Sequence, residues 1–167
     1  MNKTNRKITL RYLPKRLTRR DKKLQYGMLV KSRKLYKKGK YFTRKHVASY
    51  KSKPSSHITD AKRLYGVENI VANNELAKKT GCSKAALREI VRKGEGAYYS
   101  SGSRPNQTSQ SWGVARLASA ITSGKAAAVD FSILEKGCNK TSKALRLAKL
   151  AKKKHGHGTR RVPKSRA

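Results

Sequence analysis

Asn73 to Arg92 reads Asn-Asn-Glu-Leu-Ala-Lys-Lys-Thr-Gly-Cys-Ser-Lys-Ala-Ala-Leu-Arg-Glu-Ile-Val-Arg. Its punctuation predicts two short helices joined by a tight turn. Asn73 or Asn74 can cap the first, over Glu75 to Thr80, which Gly81 ends; Ser83 can cap the second, over Lys84 to Lys93, which Gly94 ends. Leu76, Leu87 and Ile90 can fill the wedge between the helices, a small Ala77 lets them cross closely, and Gly81 tolerates a left-handed turn. The pattern resembles a helix-turn-helix. Docked as such motifs dock, it would turn Ser83, Lys84, Ala85 and Arg88 toward a major groove and set Arg92 and Lys93 nearer phosphates. Two short helices joined by a glycine also occur in any small helical domain, and Glu89 places a negative charge beside the proposed contact face.

The same signals extend outward from this pair. Ser56 or Thr59 can cap a helix over Ala61 to Tyr65, ended by Gly66. Thr108 to Ser111 can start one over Trp112 to Thr122, ended by Gly124, and Asp130 can cap Phe131 to Lys136, ended by Gly137. Upstream, Leu24, Met28, Leu35 and Tyr36 recur near helical spacing, which predicts a cationic helix between Arg20 and Lys38. Downstream, the Ala and Leu content from Thr141 favours a helix to about Lys153. Beyond it, His155 to Ala167 has almost nothing to bury and is expected to be disordered when free. Ala97-Tyr98-Tyr99-Ser100 is the one short β-like stretch. The expected fold is therefore mainly α: a small helical domain with a helix-turn-helix-like pair, flanked by basic helical or extended arms.

Charge sets the boundaries of those parts. Of 167 residues, 43 are Lys or Arg and 8 are Asp or Glu, a formal net charge of +35. Composition shifts divide the chain into a basic N-terminal arm with one helix (1–54), a small globular helical domain (55–138) and a basic C-terminal helix and tail (139–167), with net charges of +19, +5 and +11. Self-repulsion of this size disfavours a compact free monomer unless a polyanion or acidic partner screens it. Nucleic acid, double-stranded DNA first, is the default partner. Within the N-terminal segment, Tyr41, Phe42 and Tyr50 sit among Lys40, Arg44, Lys45, Lys51 and Lys53, an interleaving that suits phosphate contact with base stacking, or equally a staple to the domain.

The residues do not point to an enzyme. A nucleophile among Ser100, Ser101 and Ser103 would need a base, and His57 is the one histidine of the central segment. The carboxylates show no recurring ligand spacing, and Cys82, Cys138, His155 and His157 include no Cys-x-x-Cys or His-x-x-x-His pair, so neither a metal nor another cofactor is expected. Two cysteines make no disulfide framework; reduced thiols are the expectation. No apolar run is long enough to span a membrane, and Met1 to Arg20 has no apolar stretch of signal length. The loop from Gly94 to Trp112, rich in hydroxyls and amides around Arg104, could hold a phosphate or carboxylate, or could cap its neighbours with the same groups.

Gly96-Ala-Tyr-Tyr-Ser-Ser-Gly-Ser-Arg-Pro-Asn-Gln-Thr, Ser111-Trp-Gly-Val-Ala-Arg-Leu-Ala-Ser-Ala-Ile-Thr, Ala128-Val-Asp-Phe-Ser-Ile-Leu-Glu-Lys-Gly-Cys and Lys51-Ser-Lys-Pro-Ser-Ser-His together resemble an uncharacterised family of large DNA viruses, algal viruses among them. The resemblance spans about Tyr41 to Cys138. It implies a viral origin, with residence in the virion and, during infection, in the host cytoplasm or nucleus; it implies no activity. In that setting a small cationic protein has two expected uses. One is a minor capsid or cement protein whose basic arms bind larger capsid subunits. The other is a virion protein that neutralises the genome, with Lys84, Arg88, Arg92, Lys93 and Arg104 contributing. A sequence-reading regulator built on the helix-turn-helix, with Ser83 at its contact end, is a third expectation.

Overall fold

The computed structural model describes residues 7–156 and 164–165. Along the chain these form β1 (Ile8–Thr9), α1 (Arg19–Tyr36), α2 (Ser56–Tyr65), α3 (Asn74–Thr80), α4 (Lys84–Ser100), α5 (Ser109–Ala120), α6 (Lys125–Val129), α7 (Phe131–Gly137), α8 (Lys143–His155) and β2 (Lys164–Ser165). The protein is mainly helical, as its caps and spacings predict. The strands are two residues each and antiparallel, Ile8 opposite Ser165 and Thr9 opposite Lys164. Among the described residues no helix is long and apolar enough to cross a membrane. Most of the tail expected to be disordered lies outside the described residues.

Contacts divide the chain into two units, one of residues 7–53, 96–109 and 164–165, the other of 54–95 and 110–156. These do not coincide with the composition segments, because apolar burial and not charge decides what packs together. α8 buries Ala144, Leu145, Ala148 and Ala151 in the same core as Leu76, Leu87, Ile90, Leu117, Ile121 and Leu134. Its other faces carry the cations that made it look like an arm.

In this helical unit α3 and the start of α4 form as their punctuation predicts. Asn73 caps α3, its side-chain oxygen accepting from the Leu76 amide at 2.9 Å, and Leu76, Leu87 and Ile90 are buried. Gly81 ends α3 with φ +73°, and a Cβ there would meet the Ser142 Cβ at 2.7 Å, so the turn needs glycine for conformation and for space.

Gly94 does not end α4, contrary to expectation. The helix continues to Ser100, and the β-like Ala97 to Ser100 is its last turn. Gly94 serves the crossing of α4 with α5: a Cβ on it would lie 2.6 Å from the Gly113 Cα, and one on Gly113 2.7 Å from the Val91 carbonyl oxygen. Both obstacles are backbone and cannot swing away. Gly94→Ala is therefore expected to cost about 1–3 kcal/mol of stability through overpacking, even though alanine favours a helix interior by up to about 1 kcal/mol. A urea midpoint at or above that of the parent would show that the helices separate at little cost.

Three further expectations need correction here. Gly124 is the N-cap of α6, a helix the sequence did not announce, and Asp130 occupies the N-cap position of α7 without making a side-chain cap. Its carboxylate is drawn instead to Arg116 and Lys93. Cys82 and Cys138 are not free thiols but a disulfide, 56 residues apart in sequence. They face each other in an antiparallel bridge, with Ser83 N donating to Gly137 O at 2.7 Å and Asn139 N to Gly81 O at 2.8 Å. No spacing rule for two distant cysteines could reveal this, because the bridge depends on where α7 ends.

In the other unit α1 is capped by Thr18, whose hydroxyl accepts from the Asp21 amide. Its buried stripe is Gln25, Met28, Leu29 and Ser32. That differs from the apolar spacing seen in the sequence, since Leu24 and Tyr36 are exposed. The two polar members are tolerated because they are bonded: Gln25 Nε2 donates to Tyr12 O at 3.1 Å and Ser32 Oγ to Tyr99 O at 3.1 Å.

Candidate nucleic-acid interface

Lys84, Arg88 and Arg92 stand four residues apart on α4, so they share one helix face. At 1.5 Å per residue the row is about 12 Å long. Arg88 and Arg92 are exposed and Lys84 is half-buried. Ser83, expected to touch bases, is exposed, but its hydroxyl accepts from the Ala86 amide at 3.2 Å and so caps its own helix. Beside it, a cleft of about 350 Å³ separates the Ala85 and Glu89 side of α4 from Ser132 and Lys136 of α7. A neighbouring helix thus borders the end of α4 that a helix-turn-helix would insert.

Lys93 has a structural partner. Its ammonium lies 3.5 Å from Asp130, which is fully buried and also accepts from Arg116 Nε and Nη2 at 2.8 Å each. Arg104 is exposed but belongs to the other unit, so the structure does not group it with the α4 row. The sequence missed the Arg116–Asp130 pair entirely; a carboxylate fourteen residues from its guanidinium carries no local signature.

Further cations cover the helical unit. Lys143, Arg146, Lys149 and Lys152 to Lys154 are exposed on α8, Lys78 and Lys79 on α3, and Lys62 and Arg63 on α2. Lys152 lies over the Phe131 ring, 4.3 Å from its centroid.

In the 7–53 and 96–109 unit, Arg44, read in the sequence among the interleaved cations suited to phosphate contact, is turned inward instead. Arg44 is buried, with Nη1 donating to Ser32 Oγ at 3.0 Å and to Tyr98 O at 2.8 Å, and Nη2 to Ser103 Oγ at 2.8 Å. Its guanidinium stacks on the Tyr98 ring at 3.8 Å. Burial pushes its pKa below the ordinary value for arginine, and the nearby Tyr98 works in the opposite direction. Asn106 supports the same region, Oδ1 accepting from Val47 N at 2.6 Å and Nδ2 donating to Val47 O and Tyr50 O. Part of the polar loop is therefore held inward by its own contacts: Ser103 is buried, whereas Ser100, Ser101 and Arg104 are exposed. Tyr50, expected among the interleaved aromatics, is buried, whereas Tyr41 is 72% exposed.

The described residues define a small, strongly cationic, mainly helical protein with an arginine and lysine row on an exposed helix face. The chain belongs to DUF5824, a family of unknown function, whose profile matches residues 10–136. No curated protein matches it, and no solved structure does.

Proposed function

We propose that the protein is a nucleic-acid-binding structural component of a virion, which neutralises phosphates without reading sequence. The observation that carries this is the excess of cations over carboxylates: if every one of the 8 carboxylates neutralised a cation, 35 of the 43 would remain. Three of the acids have partners within the chain in any case, Asp130 in Arg116 and Lys93, Asp60 in Arg63, and Asp21 in Ser49, whose hydrogen bonds hold that carboxyl below its usual range. Bulk binding is favoured over base reading because the Ser83 hydroxyl is fixed as a cap on its own helix and α7 borders that end of α4. The viral setting rests on the sequence resemblance.

Binding to random duplex DNA is expected to weaken steeply with salt, with a log–log slope of about −0.9 per phosphate contacted. Replacing Lys84, Arg88 and Arg92 together by Glu should flatten the slope by up to about 2.7, one contact's worth for each residue. A filter-binding series on unrelated duplexes checks both statements. Affinity unchanged between low and high salt would reject the proposal, and strong preference for one duplex would favour the regulator.

A second reading is a minor capsid or cement protein whose basic surfaces seat larger capsid subunits. Exposed Leu150, Val71 and Val129 beside cationic faces favour protein contact. Residues 7–53 belong to a folded unit, which favours a binding surface over an arm threaded between subunits. Retention of the protein on shells emptied of genome would support this reading, and its release with the DNA would support the first.

A further inference from the structure

We infer that Tyr41, Tyr36 and Tyr99 form a stacking platform for unpaired bases, so that the protein holds single-stranded nucleic acid by a contact that duplex cannot use. This rests on the nucleic-acid reading above and names the strand state that one of its surfaces prefers.

The geometry begins at the end of α1. Gly39 N donates to Tyr36 O and Lys40 N to Leu35 O, both at 2.9 Å, so the chain turns back immediately after the helix and brings Tyr41 onto it. Tyr36 and Tyr41 have centroids 6.1 Å apart, Tyr41 and Tyr99 5.0 Å, and Tyr36 and Tyr99 6.4 Å with planes 8° apart. All three separations lie within the range of interacting rings. The cluster is anchored from beneath. The Tyr99 hydroxyl donates to Ser109 Oγ at 3.2 Å, the buried Tyr98 meets Tyr99 edge-on at 5.0 Å, and Arg44 stacks on Tyr98. Its outer side is open, with Tyr41 72% and Tyr36 36% exposed.

A ring needed only for packing would be covered, as Tyr98 is at 0% exposure. Here the outermost ring faces water on a rigid base, and exposed Lys34, Lys37, Lys38, Lys40 and Lys45 flank it in the chain. Planar apolar faces among ammonium groups match a strand whose bases are unstacked and whose phosphates are close by. In a duplex each base face is already covered by its neighbours, which leaves the rings nothing to stack on. The lysines fit an acidic protein as well, but such a partner has no planar faces repeated along an anionic chain.

The test compares a single-stranded dT oligomer with a random duplex of equal length, using the full chain, its Tyr41→Leu variant and its Tyr41→Trp variant. Tyr41→Leu should bind the single strand about 10-fold more weakly, leave duplex affinity within about twofold, and keep both salt slopes, since the ring touches no phosphate. Tyr41→Trp should retain the affinity and show quenching beyond that of Trp112 when dT is added. Matching far-UV circular dichroism identifies folded variants; because Tyr41 is exposed, both should pass. Unchanged single-strand affinity in Tyr41→Leu, or equal losses on both strands, overturns the platform. Failure of the parent to bind either strand overturns the nucleic-acid reading itself, whereas salt-dependent duplex binding with an indifferent Tyr41 overturns only this inference.

Discussion

Asp130→Ala is expected to lower the unfolding free energy by about 3 kcal/mol, the lower end of the range for removing one partner of a buried ion pair. The carboxylate has 0% exposure and takes two hydrogen bonds of 2.8 Å from one guanidinium. Without it, Arg116 keeps its charge with only 21% of its side chain exposed, so water compensates poorly. Lys93, 48% exposed, can turn outward, which is why the estimate stays at the lower end. For a protein of this length the loss corresponds to about 10 °C in Tm. Replacing both partners, Arg116→Met with Asp130→Leu, should restore much of the stability, because no unpaired charge is left buried. Urea melts of the single and double variants decide the matter. A single variant within 1 kcal/mol of the parent would mean that Arg116 finds another partner or water.

Cys138→Ser, or a reductant added to the parent, should cost about as much. The disulfide closes a loop with a sequence separation of 56, and in the chain-entropy account a loop of that size restricts the unfolded state by about 4 kcal/mol. The bridge also ties the turn between α3 and α4 to the end of α7, a junction where Ser83 and Asn139 donate to facing carbonyls. Thermal melts with and without dithiothreitol give the direct reading. Equal melting temperatures would show that these backbone hydrogen bonds alone hold the junction. Since α4 carries Lys84, Arg88 and Arg92, reduction followed by a DNA-binding series would further report whether that row needs the cross-link.

Much of the helical skeleton was legible locally. Asn73 caps α3, and Gly66 and Gly81 close α2 and α3 in left-handed conformations. Each of these signals acts within a few residues, where backbone donors and acceptors at helix ends must find partners. Gly94 misled because its conformation is ordinary helix; only the Gly113 backbone against it gives the missing side chain its reason. Gln25 and Ser32 hid the buried face of α1, since polar residues enter a core only when partners such as the Tyr12 and Tyr99 carbonyls are already in place. Lys84, Arg88 and Arg92 fall on one face of α4, as their spacing requires, but nothing local announced that Lys93 would be held by Asp130.

By itself, then, the sequence determined that the chain is mainly helical, where most of its helices begin and end, and that it carries 35 more cations than anions. These follow from chain-local hydrogen bonding and from counting. Tertiary structure alone decided which cysteines meet, which carboxylate is buried, that Arg44 lies beneath Tyr98 and that Tyr41 returns to Tyr36. Each is a contact between residues brought together by burial and backbone approach, and free energies of that kind depend on the whole packing and leave no local periodicity to read.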